Sequence, residues 1–160
     1  MLSVYATVYN NVYVVEESVR SLLSAVPFVD EVVVVDNCSV DGTWEVLSRL
    51  REELPVPLRL YRRRCSRGLG RQLALERARG DYVMYVDLDC VFHPELGTVV
   101  RKLLEECEDG VYWDFYGVAT RRTMELIGGW RDLNMGEDWE LVARAIRRGA
   151  VSYTHLTLPT

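Results

Sequence analysis

Apolar residues along the chain switch repeatedly between two spacings. A nearly continuous apolar run over residues 2–9 predicts a strand, and a second run predicts another strand over Glu31 to Val35. Between them, Val15, Val19 and Leu22 recur at i, i+4 and i+7, which is the spacing of one helical face. The second run contains four consecutive valines without polar alternation, which is typical of a parallel strand covered on both faces.

The rest of the chain repeats this alternation of strand and helix. The same patterns predict helices over 41–53, 68–79, 99–107, 122–127 and 138–148, and strands over 58–62, 82–87 and 111–118. We expect Gly80 to close the third helix at its C′ position, and Ser39 or Asp41 to cap the second. Strand and helix units joined by right-handed crossovers predict an α/β fold: an open, mostly parallel, twisted, Rossmann-like sheet with helices on both faces.

Composition narrows the class of protein. A chain of 160 residues with 49% apolar and 27% charged residues is typical of one globular domain, and a net charge of −5 argues against a general nucleic-acid binder. The four cysteines lack paired C-x-x-C spacing, which favours free thiols in a reducing cytoplasm. No run approaches the roughly 20 apolar residues that a membrane-spanning helix needs.

Residues 151–160 differ in character from the rest of the chain. They resemble the in-frame translation of a transposon-derived sequencing adapter, although a natural strand after the helix end at Arg147 to Gly149 is the alternative. We expect a single domain over residues 1–150, incomplete at its C-terminus, and a non-native tail at 151–160. We therefore expect no functional role for His155.

Polar residues follow the predicted strands where each strand ends, which is where open α/β sheets bind ligands. Asp87-Leu88-Asp89 places two carboxylates at the end of an apolar strand, and such hard oxygen ligands suit Mg²⁺ or Mn²⁺ with substrate phosphates. A solvated turn or a helix cap is the alternative. Asp36 ends the four-valine strand before the next helix begins, so capping explains it poorly and ligand contact explains it at least as well.

Glycines and arginines meet at the start of the third predicted helix. Gly68-Leu69-Gly70 is surrounded by five arginines, and this combination lets backbone N–H groups and guanidinium groups approach phosphate. A solvated run of charge is the alternative. The segment lacks the third glycine of a dinucleotide fingerprint, so NAD binding is disfavoured.

The last predicted helix begins with two acids, Glu137 and Asp138, behind Gly128-Gly129-Trp130. Acids are favourable at any helix N-terminus, but an acid beside a glycine-lined cleft also suits a general base. Trp130 and Trp139 fit either the core or a platform for a sugar ring.

In this order the motifs resemble those of the family 2 glycosyltransferases with the GT-A fold, across residues 1–150. The matching segments are Thr7-Val8-Tyr9-Asn10, Asp36 to Thr43, Ser66-Arg67-Gly68 with Arg71, the D-x-D motif Asp87-Leu88-Asp89, Gly128-Gly129-Trp130 and Glu137-Asp138. The chain departs from the family's pattern at Ala6, Asn37, Cys38 and Ser66.

The resemblance implies inverting transfer of a sugar from a nucleotide-diphosphate sugar to an acceptor hydroxyl, a hexosyltransferase-like activity. It implies Asp138 as general base, Mn²⁺ or Mg²⁺ bound by Asp89 with Asp87, and an unknown glycan, lipid-phosphate or protein acceptor, with no nucleic-acid partner. The implied donor-binding residues are Thr7, Tyr9, Asp36, Gly68, Arg71 and Asp87. We expect a cytoplasmic chain, with peripheral association at the inner membrane face as a further expectation from the family.

Two other functions share some of these residues. Asp87 to Val91 also fits the D-x-D-x-[TV] motif of haloacid-dehalogenase-type phosphatases, although those carry it on the first strand and need a lysine well downstream. Here the motif follows the fourth predicted strand, and the only lysine, Lys102, follows closely. The other alternative is a non-catalytic nucleotide-binding module or an inactive fragment.

Overall fold

The structure is a computed structural model that describes residues 1–113 and 117–150, with the backbone alone for Trp113. Strands and helices alternate as far as residue 106, and two strands and then two helices follow. The strands are β1 Leu2–Val8, β2 Glu31–Asp36, β3 Leu58–Arg62, β4 Tyr82–Tyr85, β5 Tyr112–Trp113 and β6 Val118–Thr120. The helices are α1 Val15–Ala25, α2 Thr43–Glu53, α3 Arg67–Arg77, α4 Leu96–Glu106, α5 Arg121–Ile127 and α6 Glu137–Arg147.

The strands form one sheet in the order β3-β2-β1-β4-β6-β5. The β1 strand pairs in parallel with both β2 and β4, and β2 pairs in parallel with β3. At the other edge, β6 runs antiparallel to β4 and to β5. The chain builds outward from β1 in one direction and then crosses to β4 on the other side, so the topological switch point lies between β1 and β4.

The sheet is covered on both faces, as the sequence predicts. Helices α1, α2 and α4 pack on one face with β-strand residues such as Val4 and Val34. Helices α3, α5 and α6 pack on the other with alternate residues such as Tyr5 and Val33. All six residues of β2 are buried, which confirms the interpretation of its four valines.

Two predicted boundaries are wrong. The single strand predicted over 111–118 is instead the two short strands β5 and β6, which pair with each other, and residues 114–116 between them lie outside the described residues. The fourth strand ends at Tyr85 rather than at residue 87, although the Val86 N–H still donates to the Tyr5 carbonyl oxygen at 3.2 Å. The segment that carries the two aspartates is therefore a loop.

Gly80 does not close α3. The helix ends at Arg77 with Ala78 in an extended conformation, and Gly80 is not among the residues with positive φ. Its N–H donates to the Ser3 hydroxyl at 2.7 Å, and a Cβ atom would lie 2.6 Å from the Met1 carbonyl oxygen. Close approach to β1, not helix termination, requires glycine here.

Candidate functional site

A polar cavity of about 260 Å³ opens at the carboxyl ends of β1, β2 and β4. It lies at the switch point of the sheet, where open α/β folds bind ligands. The residues that line it are Thr7, Val8, Tyr9, Asn11, Asn37, Arg67, Asp87, Leu88, Asp89 and Asn134. Four of the predicted site residues, Thr7, Tyr9, Asp87 and Asp89, are thus brought together, and Tyr9 remains 56% exposed.

The loop after β4 presents two carboxylates at this cavity. Leu88 is buried and anchors the loop, while Asp87 and Asp89 on either side of it are exposed. Asn11, which follows β1, donates from Nδ2 to the Leu88 carbonyl oxygen at 3.2 Å. Burial of Leu88 in the core and the hydrogen bond from Asn11 therefore hold the loop in place.

These two carboxylates fit a Mg²⁺ or Mn²⁺ ion. Within the described ranges, no group of three or more His, Cys, Asp or Glu residues forms a metal site on its own. Mg²⁺ usually binds through one or two protein carboxylates and completes its shell with water and substrate phosphates. Asp87 and Asp89 provide such a partial set of ligands. A structural metal would need a full set of protein ligands, which these two residues do not supply.

Arg71 is buried beneath the cavity instead of lining it. Its guanidinium lies against two aromatic rings that also contact each other, 4.1 Å from the ring centroid of Tyr85 and 4.8 Å from that of Trp130. Its Nη2 donates to Asp87 Oδ1 at 3.0 Å and also to the Tyr85 hydroxyl. Arg71 is not among the residues that line the cavity, and its contact with a donor stays a prediction.

Sequence reasoning missed Glu137 as a partner of this arginine. Glu137 is 1% exposed, and its Oε1 lies 2.6 Å from Arg71 Nη1 and 3.8 Å from Arg67 Nη1. The sequence showed two acids at a helix start, but it could not show that the first of them turns inward. Which of the two acids points inward depends on how α6 packs against α3.

Asp138, the predicted general base, lies on the exposed side of the same helix turn. Its Oδ1 accepts the N–H of Trp139 at 2.9 Å, and it is not among the residues that line the cavity. Trp139 is 78% exposed, whereas Trp130 is 5% exposed and donates from Nε1 to the Tyr5 hydroxyl at 3.0 Å. Trp130 is thus a core residue, and Trp139 alone is free for an aromatic platform.

Asp36 is 1% exposed and its carboxylate is occupied by protein groups. It accepts the Ser39 N–H at 3.1 Å and the Ser39 hydroxyl, and it lies 3.2 Å from Arg62 Nε. Ser39 therefore binds Asp36 and does not cap α2. Asp41 Oδ1 accepts the N–H of Thr43, the first residue of α2, at 3.0 Å, but the N-cap position is Gly42, so neither predicted cap is correct.

Asn37, beside Asp36, lines the cavity where sequence reasoning expected Asp36 to act. Its Oδ1 accepts the Cys65 N–H at 2.8 Å, which fixes the orientation of the amide. The Nδ2 group makes no hydrogen bond within the described part of the chain, so Asn37 offers a donor to a ligand. The signal in the sequence was its position directly after the strand.

The N–H groups at the start of α3 do not form the expected phosphate cradle. The Gly68 N–H donates to the Leu133 carbonyl oxygen at 2.9 Å, the Arg67 N–H to Asn134 Oδ1 at 3.3 Å and the Leu69 N–H to Ser66 Oγ at 3.1 Å. Gly68 instead permits close packing, since a Cβ atom there would lie 1.9 Å from the Arg131 carbonyl oxygen. This packing places Asn134 in the cavity wall.

The phenol and thiol groups whose pKa is shifted are not activated. Burial raises the pKa of the Tyr5 and Tyr85 phenols well above their usual range. Burial likewise raises the pKa of the Cys65 and Cys90 thiols, and that of Cys107 to about 11. Thiols with raised pKa values are poor nucleophiles at neutral pH, so the carboxylates and arginines are the candidates for chemistry at this cavity.

Across the described residues, no helix is long and apolar enough to cross a membrane.

The fold and the cavity together define an α/β protein of the GT-A type, with a two-carboxylate loop at the switch point of its sheet. The family model described as "Glycosyl transferase family 2" matches residues 3–148, and the chain belongs to that family. This assignment confirms the resemblance and argues against the phosphatase alternative.

Curated relatives in the family come from archaea and bacteria. The chain is 29% identical over 133 residues to a dolichol-phosphate mannosyltransferase from Pyrococcus furiosus, covering 81% of this chain and 33% of that protein. It is 33% identical over 96 residues to the poly(ribitol-phosphate) beta-N-acetylglucosaminyltransferase TarS from Staphylococcus aureus, covering 58% of this chain and 17% of that protein. The chain thus spans a third or less of the length of these two relatives.

Solved structures share the fold at low sequence identity. TarS residues 1–349 from S. aureus, in complex with UDP-GlcNAc, align with a TM-score of 0.74 and 19% identity, covering 92% of this chain and 53% of that one. A mannosyltransferase from Pyrobaculum calidifontis in complex with GDP-Man and Mn²⁺ aligns with a TM-score of 0.73 and 22% identity, covering 90% and 51%.

Proposed function

We propose that this chain transfers a sugar from a nucleotide-diphosphate sugar to an acceptor hydroxyl, with metal assistance and inversion at the anomeric carbon. The observation that carries the proposal is the pair Asp87 and Asp89, exposed side by side at the switch-point cavity of a family 2 glycosyltransferase fold. Two carboxylates alone are an incomplete metal site, and a bound diphosphate supplies the missing oxygen ligands.

The polar lining suits a nucleotide at one end of the cavity. The exposed ring of Tyr9 offers a stacking surface for a base, and Asn37 Nδ2 offers a hydrogen-bond donor to a base edge. Structures of similar fold that hold UDP-GlcNAc or GDP-Man support a nucleotide sugar as the class of donor. The lining therefore supports the donor class and leaves the base and the sugar open.

The other end of the cavity suits the diphosphate. Negative charge accumulates on the leaving diphosphate as the bond from the anomeric carbon to its oxygen breaks. A Mn²⁺ or Mg²⁺ ion held by Asp89 and Asp87 would neutralise that charge. Arg67, whose side chain is 60% exposed and lines the same cavity, adds a guanidinium group that suits phosphate.

Inverting displacement needs a base but no enzyme nucleophile. The acceptor oxygen forms its bond to the anomeric carbon from the side opposite the diphosphate, and Asp138 takes the proton of the acceptor hydroxyl. Its exposed position at the start of α6, next to the exposed Trp139, supports access by an acceptor from solvent. A glycan, a lipid phosphate and a protein hydroxyl are the acceptor classes that we propose to compare.

The test is binding of UDP, GDP, CDP and ADP to the full chain, each with and without Mn²⁺, by isothermal titration calorimetry. Circular dichroism establishes beforehand that the chain is folded. We expect saturable binding of one nucleotide that depends on the metal. A folded chain that binds none of the four with Mn²⁺ would overturn the proposal, and metal-independent binding would leave a nucleotide-binding module without the proposed metal chemistry.

A further inference from the structure

The charge of Arg71 is shut away from water beneath the cavity. Its side chain is 3% exposed, and the rings of Tyr85 and Trp130 lie 4.1 and 4.8 Å from the guanidinium. Two carboxylates reach it, Glu137 with Oε1 at 2.6 Å from Nη1 and Asp87 with Oδ1 at 3.0 Å from Nη2. A buried cation needs a close counter-ion, since an unpaired buried charge is strongly destabilising.

The two counter-ions differ in what else they are able to do. The Glu137 side chain is 2% exposed and cannot reach a ligand in the cavity, whereas the Asp87 side chain is 52% exposed and lines it. Arg67, the other cation near Glu137, lies farther from it, at 3.8 Å, and its side chain is 60% exposed, so water also solvates its charge. Glu137 thus serves only as a counter-ion of the buried arginine, whereas Asp87 is also accessible from the cavity.

The pair of Arg71 and Glu137 is held by charge more than by aligned hydrogen bonds. Although Nη1 and Oε1 lie 2.6 Å apart, Arg71 Nε and Nη1 and Glu137 Oε2 have no aligned hydrogen-bond partner within the described part of the chain. A substitution that removes the charge of Glu137 and keeps its shape therefore removes most of its interaction with Arg71.

We propose that Glu137 is a positioning residue that sets the metal affinity of the cavity. By neutralising Arg71 it leaves the Asp87 carboxylate available to a divalent cation, because Asp87 no longer has to balance the buried guanidinium alone. This inference rests on the proposed function, in which Asp87 and Asp89 hold the metal. Glu137 itself touches neither metal nor substrate.

The experiment measures Mn²⁺ binding in the absence of nucleotide, from the electron paramagnetic resonance signal of free Mn²⁺. In Glu137→Gln, Arg71 draws the Asp87 carboxylate to itself, and we expect the dissociation constant to rise by about tenfold, as an uncompensated cation a few ångströms away produces in a partly screened site. The matched control is Glu140→Gln on the same helix, whose carboxylate pairs with Arg144 at 2.6 Å. It keeps the wild-type affinity.

A second variant separates this role from a merely structural one. In Arg71→Met with Glu137→Leu both buried charges are gone, and replacing such a pair with apolar residues is often neutral for stability. Asp87 then has no competing cation, so we expect Mn²⁺ affinity at or above wild type. If Glu137 only held α6 in place, this double variant would bind Mn²⁺ as poorly as the single one.

The inference is overturned if a folded Glu137→Gln variant binds Mn²⁺ with wild-type affinity. It is also overturned if the double variant binds Mn²⁺ more weakly than wild type, and this second test applies even if the single variant does not fold. Both results leave the proposed function standing when the wild-type chain binds a nucleotide with Mn²⁺. A wild-type chain that binds no Mn²⁺ overturns the metal-assisted function, and this inference with it.

Discussion

The side chain of Asn11 donates a hydrogen bond from Nδ2 to the carbonyl oxygen of Leu88, with the two atoms 3.2 Å apart. This bond joins the loop after β1 to the middle of the two-carboxylate loop. We predict that Asn11→Ala weakens metal-dependent nucleotide binding about fivefold, the effect of one hydrogen bond worth roughly 1 kcal/mol. Titration calorimetry checks the affinity, and unchanged binding would show that Leu88 and its packing hold the loop alone.

Asp89 faces the cavity without the arginine partner that Asp87 has. We predict that Asp89→Ala abolishes the effect of Mn²⁺ on nucleotide binding while the fold persists, because one of the two carboxylates that fit a hard cation is gone. Titrations with and without Mn²⁺ measure this. The matched control is Asp81→Ala, an exposed aspartate side chain at the opposite end of β4, which keeps the metal effect. Metal-dependent binding in the Asp89 variant would remove Asp89 from the site.

Gly68 lies so close to the facing loop that there is no room for a side chain. A Cβ atom there would meet backbone atoms of the facing loop, the Arg131 carbonyl oxygen at 1.9 Å and the Leu133 nitrogen at 3.1 Å. We predict that Gly68→Ala lowers the free energy of unfolding by about 1–3 kcal/mol, as overpacking does, and weakens nucleotide binding as Asn134 moves. Urea denaturation checks the first effect. Glu76→Ala, on the exposed face of α3, is expected to stay within about 0.5 kcal/mol of wild type.

The elements that the sequence predicted best are those whose burial is complete. The valines of β2 face helices on both sides, and the apolar stripe of α1 packs on one face of the sheet, so each pattern has one structural meaning. The hairpin of β5 and β6 has two-residue and three-residue strands, too short for a clear period. Gly80 was misassigned because glycine marks both helix ends and close backbone approaches.

The candidate site was predictable in place but not in detail. The order of motifs located the cavity at the strand ends, and Thr7, Tyr9, Asp87 and Asp89 line it. Whether a charged residue faces the cavity or lies beneath it depends on partners distant in sequence. Asp36 is occupied by Ser39 and Arg62, and Arg71 by Asp87 and Glu137, which no local pattern reveals.

Glu31 lies at the amino end of β2, far from the cavity, and makes a stability test that is independent of function. Burial of this carboxyl favours its neutral form, but hydrogen bonds from the Ser3 hydroxyl, the Arg79 N–H and Arg59 outweigh burial and hold its pKa below the usual value. Because the folded pKa is below the unfolded one, its stabilisation is complete above about pH 4.5 and lost as pH falls through the folded pKa.

We therefore predict that Glu31→Gln lowers the free energy of unfolding at pH 7 by about 1–3 kcal/mol, the range for a hydrogen-bonded buried charge. The difference from wild type is expected to shrink on acidification below about pH 4.5, because Glu31 of the unfolded chain is protonated there while the folded chain still keeps its charge. Urea denaturation at pH 7 and pH 3.5 measures both. Glu52→Gln, an exposed side chain in α2, serves as control. The same difference in the free energy of unfolding at both pH values would mean that the shape of Glu31, not its charge, is stabilising.

Asp138 and Glu137 are neighbours with opposite environments, one exposed to solvent and one buried against Arg71. If Asp138 is the general base, Asp138→Asn leaves nucleotide and metal binding intact, because the side chain lies outside the cavity lining. Transfer is expected to slow by roughly 10²-fold or more, the usual contribution of a positioned base. Single-turnover kinetics with a donor and acceptor that support wild-type turnover separate the chemical step from binding. Near-normal transfer in this variant would exclude Asp138 as the base, whereas weakened Mn²⁺ binding would show that the first turn of α6 had shifted and released Glu137 from Arg71.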